Sequence, residues 1–252
     1  MATQQQLLSA FDTLLQPGRF KDYGPNGLQV EGKSEILRIV SGVTASRSLI
    51  EAAIAARADA IFVHHGLFWR GQDGRVTGWM KQRLALLLAH DINLFAYHLP
   101  LDAHAELGNN AQLGVKLGLH AAGRFGEQEL GFLGERSDGG AFADGPALAS
   151  HLEQVLQRTV VRVGDAAGPI RSIGWCTGGA QDYFEDAIAA GVDAFITGEI
   201  SEPQAHYARE CGVVYFACGH HATERYGAPA VAGHVAAACG IEHRFIDIEN
   251  PA

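Results

Sequence analysis

No two cysteines in this chain have the CxxC spacing of a zinc ribbon or redox motif, and Cys176, Cys211, Cys218 and Cys239 do not make a disulfide framework. They read as reduced thiols in a cytoplasmic protein. No run approaches the ~18 consecutive apolar residues of a membrane span. The opening MATQQQLLSAFDTLLQ lacks the basic start and apolar stretch of a secretory leader. Instead Leu7, Leu8, Phe11, Leu14 and Leu15 recur at helical spacing and predict an amphipathic helix. Cationic side chains are scarce: 19 Lys and Arg against 28 Asp and Glu leave a formal charge of −9, which argues against a broad nucleic-acid surface. A small phosphorylated molecule, which needs only one or two local cations or metals, stays compatible. What the chain has in quantity is hydrophobic residues, 47% of the total, enough to build the core of one large domain or two small lobes.

An internal repeat organises the chain. Residues 51–66, EAAIAARADAIFVHHG, align without a gap on residues 185–200, EDAIAAGVDAFITGEI, with a displacement of 134. Glu51/Glu185, Ala53/Ala187, Ile54/Ile188, Ala55/Ala189, Ala56/Ala190, Asp59/Asp193 and Ala60/Ala194 are identical, and the same displacement pairs Ile36 with Ile170 and Ile39 with Ile173. Alanine-rich helices match by chance, so the stronger sign is that the order of elements repeats. Apolar strands at 36–43 and 170–176 are each followed by a helix, near 46–57 and 181–190, and then by AIFV (60–63) or AFIT (194–197). A further helix leads to INLFAY (92–97) or VVYFAC (213–218); the second copy is about thirteen residues shorter because it lacks the loop GLFWRGQDGRVTG. Short apolar strands between helices predict an α/β fold with a largely parallel sheet. The expected organisation is two similar α/β lobes related by duplication, residues 1–121 and 122–225. The C-terminal segment 226–252, with its strand HRFIDI, returns to the first lobe.

Chemistry collects where these strands end, which is where open α/β sheets bind ligands. AIFV runs into His64-His65-Gly66, INLFAY into His98 and then Asp102, AFIT into Gly198-Glu199, and VVYFAC into Gly219-His220-His221 and Glu224. Neighbouring strand residues face opposite ways, so His64 and His65 share a site only where the backbone turns, which Gly66 permits. One buried and one surface histidine explain the pair as well. His220 and Glu224 share a face if the segment after Gly219 is helical, although a solvent-facing i,i+4 pair has the same spacing. Asp102 fits either a ligand or the N-cap of a helix beginning at Ala103. Three imidazoles and two carboxylates form a mixed nitrogen and oxygen set suited to zinc, iron or manganese, and five ligands exceed what one tetrahedral ion needs. Two ions sharing a carboxylate fit better, an arrangement typical of hydrolytic centres.

The motifs VHHG (63–66), YHLPLD (97–102), ITGEIS (196–201) and GHHATE (219–224), with DYGPNGLQVEG (22–32), resemble the Nif-three-like dinuclear metal-centre family, and the short bacterial YbgI-type members most. The resemblance spans nearly the whole chain; the extra inserted domain of longer relatives is missing. It implies two divalent metal ions per chain, with His64 and His65 serving one ion each, Asp102 and His220 as further ligands and Glu224 as the bridge. His98 and Glu199 are then candidates for proton transfer or substrate contact, and Glu199 also for orienting a ligand. A packed histidine in the strand-end turn and an acid at a helix N-terminus explain them too. The resemblance also implies a homohexamer whose metal sites face an interior cavity. The exposed-looking loop bearing Phe68, Trp69 and Trp79 fits a contact element between subunits, and aromatic residues covering the core explain it too. Bacterial members are labelled GTP cyclohydrolase 1 type 2 homologues, which implies a hydrolase acting on a nucleotide-like small molecule. The competing expectation is a non-enzymatic metal-binding protein whose ring recruits partners.

Overall fold

The computed structural model describes residues 1–166 and 168–252. They divide into two compact units, Met1–Gly108 with Gly227–Glu249, and Asn109–Tyr226 with Asn250–Ala252. In the first unit Thr3 caps helix α1 (Gln4–Leu15). Its hydroxyl accepts the Gln6 N–H at 3.1 Å while Gln6 Oε1 accepts the Thr3 N–H at 2.8 Å, and Leu7, Phe11 and Leu15 bury one face. Strands β1 (Gly27–Val30) and β2 (Arg38–Thr44) lead through helix α2 (Arg47–Ala55) to β3 (Ala60–His65). Helix α3 (Gly78–Ala89), β4 (Asn93–Ala96) and the short helix α4 (Leu99–Ala103) follow.

The second unit opens with helix α5 (Asn109–Leu117), strands β5 (Leu119–Phe125) and β6 (Gly131–Arg136), helix α6 (Gly145–Leu156) and strand β7 (Val161–Val163). Strand β8 (Ile173–Trp175), helix α7 (Phe184–Ala189), β9 (Ala194–Thr197), helix α8 (Glu202–Cys211), β10 (Val214–Ala217) and helix α9 (His220–Glu224) complete it. The chain then re-enters the first unit as helix α10 (Gly227–Cys239) and strand β11 (Glu242–Phe245), which lies parallel to β2. No helix among the described residues is long and apolar enough to cross a membrane.

The sheet of the first unit has the order β11-β2-β3-β4-β1, parallel except for β1. Both faces are covered. Phe62 and Phe95 meet Phe11 of α1 at ring separations of 4.6 and 5.5 Å, while Ile61 and Leu94 pack with Leu49, Ile50 and Leu87 from α2 and α3. Burial on two sides is why AIFV is apolar at every position rather than at alternate ones. In the second unit the order is β5-β6-β8-β9-β10-β7, and only β8, β9 and β10 are parallel. Leu113 and Leu117 of α5 join Leu148, Leu152 and Trp175 in its core. The division therefore falls after Gly108, not near residue 122, because the apolar face of α5 belongs to that core.

The repeat reappears as hydrogen-bond register. Ile39 stands opposite Ala60 and Ile173 opposite Ala194, and Ala60 opposite Asn93 as Ala194 is opposite Val214. The antiparallel edge repeats as well, with Leu28 against Phe95 and Arg162 against Phe216. Asp59 and Asp193 do the same work in each unit. Asp59 Oδ2 accepts the N–H groups of Leu37 and Arg38 at 3.0 and 3.1 Å, and Asp193 Oδ2 accepts those of Arg171 and Ser172 at 2.8 and 2.9 Å. Each carboxylate thus ties the start of one central strand to the start of its neighbour.

Burial alone would raise the Asp59 carboxyl, but hydrogen bonds from Lys33, Leu37 and Arg38 outweigh it and hold the group below its ordinary range. A depressed carboxyl stabilises the fold above its unfolded pKa and loses that contribution as pH falls through its folded value. Asp59→Ala is therefore expected to lower stability by ~1–3 kcal/mol at neutral pH, since two N–H groups lose their acceptor. Urea melts at several pH values should show the deficit shrinking in acid.

Candidate metal centre

Within the first unit the sheet delivers three imidazoles to one place. His64 and His65 end β3, and the ligand nitrogens of His64, His65 and His98 all lie within 4.8 Å of one another. The strand runs regularly through His65, whose partner on β2 is Thr44, yet the two rings are only 4.4 Å apart. Gly66 is not there for a left-handed turn, since its φ is not positive. Its missing Cβ instead makes room for the Gln29 carboxamide, which packs against its Cα. Gln29 in turn accepts the Leu67 N–H at 2.8 Å and donates to Pro25 O at 2.8 Å, holding the strand end.

Each imidazole has one nitrogen committed. His64 Nδ1 faces the Tyr97 carbonyl at 3.3 Å, and a carbonyl only accepts, so Nδ1 carries a proton and Nε2 is the nitrogen turned toward the carboxylate. His64 Nε2 stands 3.5 Å from Asp102 Oδ1. His65 Nδ1 meets the Thr44 hydroxyl at 3.0 Å. Asp102 lies inside α4, which begins at Leu99 and ends at Ala103. The N-cap alternative for Asp102 needed a helix starting at Ala103, and that helix is absent. His64 is fully buried and Asp102 nearly so.

Within the second unit the segment after Gly219 is helical, and His220 and Glu224 share one face of α9, with Nε2 3.1 Å from Oε2. His220 Nδ1 lies 2.6 Å from Glu199 Oε1. Glu199 therefore orients the His220 imidazole, as the carboxylate partners of metal-binding histidines do. Gly178 is a residue the sequence did not single out: a Cβ there would overlap Glu224 Oε1, and its φ of +72° disfavours a side chain independently. Thr223 locks the same loop, accepting the Gly178 N–H at 3.0 Å and donating to Gly219 O at 3.0 Å. Among the described residues no cysteine joins the groups of side chains that could hold a metal, and burial pushes the Cys218 thiol up to about 12.

Sequence reasoning also missed Asp22 and Asn26. Asp22 Oδ1 lies 2.7 Å from His98 Nδ1, and Asn26 Oδ1 accepts the His98 backbone N–H at 2.7 Å. Both sit in DYGPNGLQVEG, where Gly and Pro read as turn signals and nothing in the spacing connects them to a histidine more than seventy residues away. Trp69 lies edge-on to His98 at 5.0 Å, while Trp79 is 54% exposed and carries Arg83 over its ring. Trp69 also stands 6.0 Å from His65, and Phe68 lines the same small pocket as His64 and His98.

These residues suit a divalent cation. The donors are imidazole nitrogens whose rings are oriented by fixed partners, next to buried carboxylates. Burial works to lower the His220 pKa, but hydrogen bonds and charge from Glu224 and Glu199 outweigh it and push the group up to about 9. Without a metal, a proton on His220 balances the two carboxylates. A metal must displace that proton. Metal uptake near neutral pH is therefore expected to release protons, and affinity should rise with pH until about 9, the pKa His220 reaches here. Calorimetry in buffers of different ionisation enthalpy measures the release. Gly178→Ala, which leaves every ligand in place, is expected to lower metal affinity at least ~10-fold by displacing Glu224, as loss of a supporting group does; equilibrium dialysis reads it.

The sequence profile of the family described as Duf34/NIF3 (NGG1p interacting factor 3) matches residues 2–251. The chain is 50% identical over 252 residues to the GTP cyclohydrolase 1 type 2 homolog of Neisseria meningitidis serogroup A, with 100% of both chains covered. The protein of the same name from Pseudomonas aeruginosa is 49% identical over 249 residues, 98% of this chain and 97% of that one. Among solved structures, YbgI superposes with a TM-score of 0.95 at 44% identity, and TTHA1606 from Thermus thermophilus with 0.89 at 29%, each over 100% of both chains. The chain belongs to the Duf34/NIF3 family.

Proposed function

We propose that this protein is a metal-dependent hydrolase of a nucleotide-like small molecule, in which His64, His65, Asp102, His220 and Glu224 hold two divalent ions, with Glu224 as the shared ligand. The observation that carries the reading is the arrangement of the donors within each unit. His64 turns Nε2 toward Asp102 while its other nitrogen faces Tyr97 O, and His220 stands between Glu199 and Glu224. The names of relatives about half identical to this chain point the same way, toward a purine nucleotide as the kind of substrate. Zinc, iron and manganese all fit imidazole and carboxylate donors.

Bound ions would supply positive charge to activate water and to offset negative charge developing on the substrate. Around them the chain has its own parts. Glu199 holds the His220 ring in one orientation, and His98 stands beside the His64–His65 pair with a nitrogen able to accept a proton from a reacting group. The homohexamer implied by the sequence resemblance belongs to the same proposal.

Elemental analysis of purified protein is expected to find about two divalent metals per chain, as in paired hydrolytic centres. His64→Ala and Glu224→Ala should each lose metal; unchanged content in both would overturn the ligand assignment. The metal-replete sample is then assayed against nucleotides and pterin precursors. Metal-dependent turnover supports the hydrolase. Its absence across the panel, with metals retained, favours the non-enzymatic binding role.

A further inference from the structure

Asp22, beside His98, is a buried carboxylate held by several hydrogen bonds. Its side chain is 4% exposed. Oδ1 accepts the Tyr23 N–H at 2.6 Å; Oδ2 accepts the Leu99 N–H at 2.9 Å and the Asn26 amide at 2.8 Å. The Asn26 amide is a donor there, because its oxygen already accepts the His98 N–H. Three obligatory donors thus point at one carboxylate, and the remaining lone pair on Oδ1 faces His98 Nδ1 at 2.7 Å. The opposite tautomer of His98 would need a proton on Asp22 Oδ1, the atom that also receives Tyr23. Burial would raise the Asp22 carboxyl, but hydrogen bonding and charge from His98, with Asn26 and Tyr23, outweigh it and hold the group below its usual range. Asp22 is therefore a carboxylate and His98 Nδ1 carries the proton.

We infer that Asp22 is a positioning residue that locks His98 as the Nδ1–H tautomer, making Nε2 a standing hydrogen-bond acceptor beside His64 and His65. The group that reaches this nitrogen must be a donor: a water molecule, or an O–H or ring N–H of the substrate. The chemical use of the acceptor rests on the hydrolase reading; the tautomer does not. The ring is held from several directions. His64 lies 4.9 Å away, His65 5.8 Å, the perpendicular Trp69 5.0 Å and Tyr23 6.0 Å, while Arg70 ties the two loops together by donating to Asp22 O and Tyr23 O, each at 2.6 Å. An imidazole fixed in tautomer and orientation by a buried carboxylate is the arrangement that general-base histidines share across unrelated folds.

The test uses metal-free, full-length protein labelled with nitrogen-15 in histidine, at mildly alkaline pH. Long-range proton–nitrogen spectra report which ring nitrogen is bare, and His98→Gln assigns the His98 signals by removing them. A protonated Nδ1 with a bare Nε2 is expected; a proton on Nε2 overturns the proposal. Asp22→Asn offers one oxygen to four donors and should shift His98 away from that tautomer, whereas an unchanged spectrum in the folded variant takes the role away from Asp22. If that variant does not fold, the wild-type spectrum still decides the tautomer. Elemental analysis supplies an independent arm: His98→Gln should keep its metal, and loss of a full equivalent would make His98 a ligand rather than an acceptor. With a substrate in hand, His98→Gln should lower kcat about 100-fold or more with metal retained. A wild type that turns nothing over refutes the hydrolase reading while leaving the tautomer result standing.

Discussion

An imidazole points a lone pair in a defined direction only when its other nitrogen is held, and in this protein the holding is done by groups that secondary structure places first. Tyr97 O holds His64, the Thr44 hydroxyl meets His65, Asp22 holds His98 and Glu199 holds His220. Three of the four partners come from a strand end or the first residues beyond one, and Asp22 comes from the turn before β1. The site therefore depends on strand register more than on loop conformation. A slip of one residue would exchange the two faces of β3 and take His64 out of reach of Tyr97.

Register is secured at the opposite end of each parallel pair. Asp59 and Asp193 bind the first N–H groups of the neighbouring strand, and the backbone continues the tie, with Asn93 N–H on Asp59 O and Val214 N–H on Asp193 O, both at 3.0 Å. This is a physical reason for the identity of the two aspartates in otherwise diverged segments: an exposed-looking acid at a strand start is in fact the acceptor that sets the ladder. The equivalent registers of the two units are what a duplication would leave. The edges of the two sheets have diverged, β11 lying parallel to β2 in one unit and β6 antiparallel to β8 in the other.

Much of this was readable from the chain alone, for local reasons. Two-sided burial makes a strand apolar throughout, so AIFV, INLFAY, AFIT and VVYFAC stand out. An i,i+4 spacing after a glycine predicts that His220 and Glu224 share a helical face, which they do on α9. The alternatives for Asp102 and the account of Gly66 were decided differently by the structure. Asp102 lies within a helix, not at its cap, and Gly66 provides space for Gln29 without a left-handed backbone. Neither outcome has a local signature, because a helix of five residues is too short to announce itself by periodicity and the Gln29 contact spans the chain from β1 to β3.

What the sequence determined by itself was the class of fold, the order of its elements, the repeat and the residue types gathered at strand ends, since these follow from periodicity and spacing within a few turns of chain. Only the tertiary structure decided which nitrogen of each histidine is held by a neighbouring group, that Asp22 and Glu199 each hold an imidazole, and that Gly178 leaves room for Glu224. Those features are set by hydrogen bonds and close approaches between residues twenty to eighty positions apart. Such contacts exist only once the strands have paired, and no local pattern encodes them.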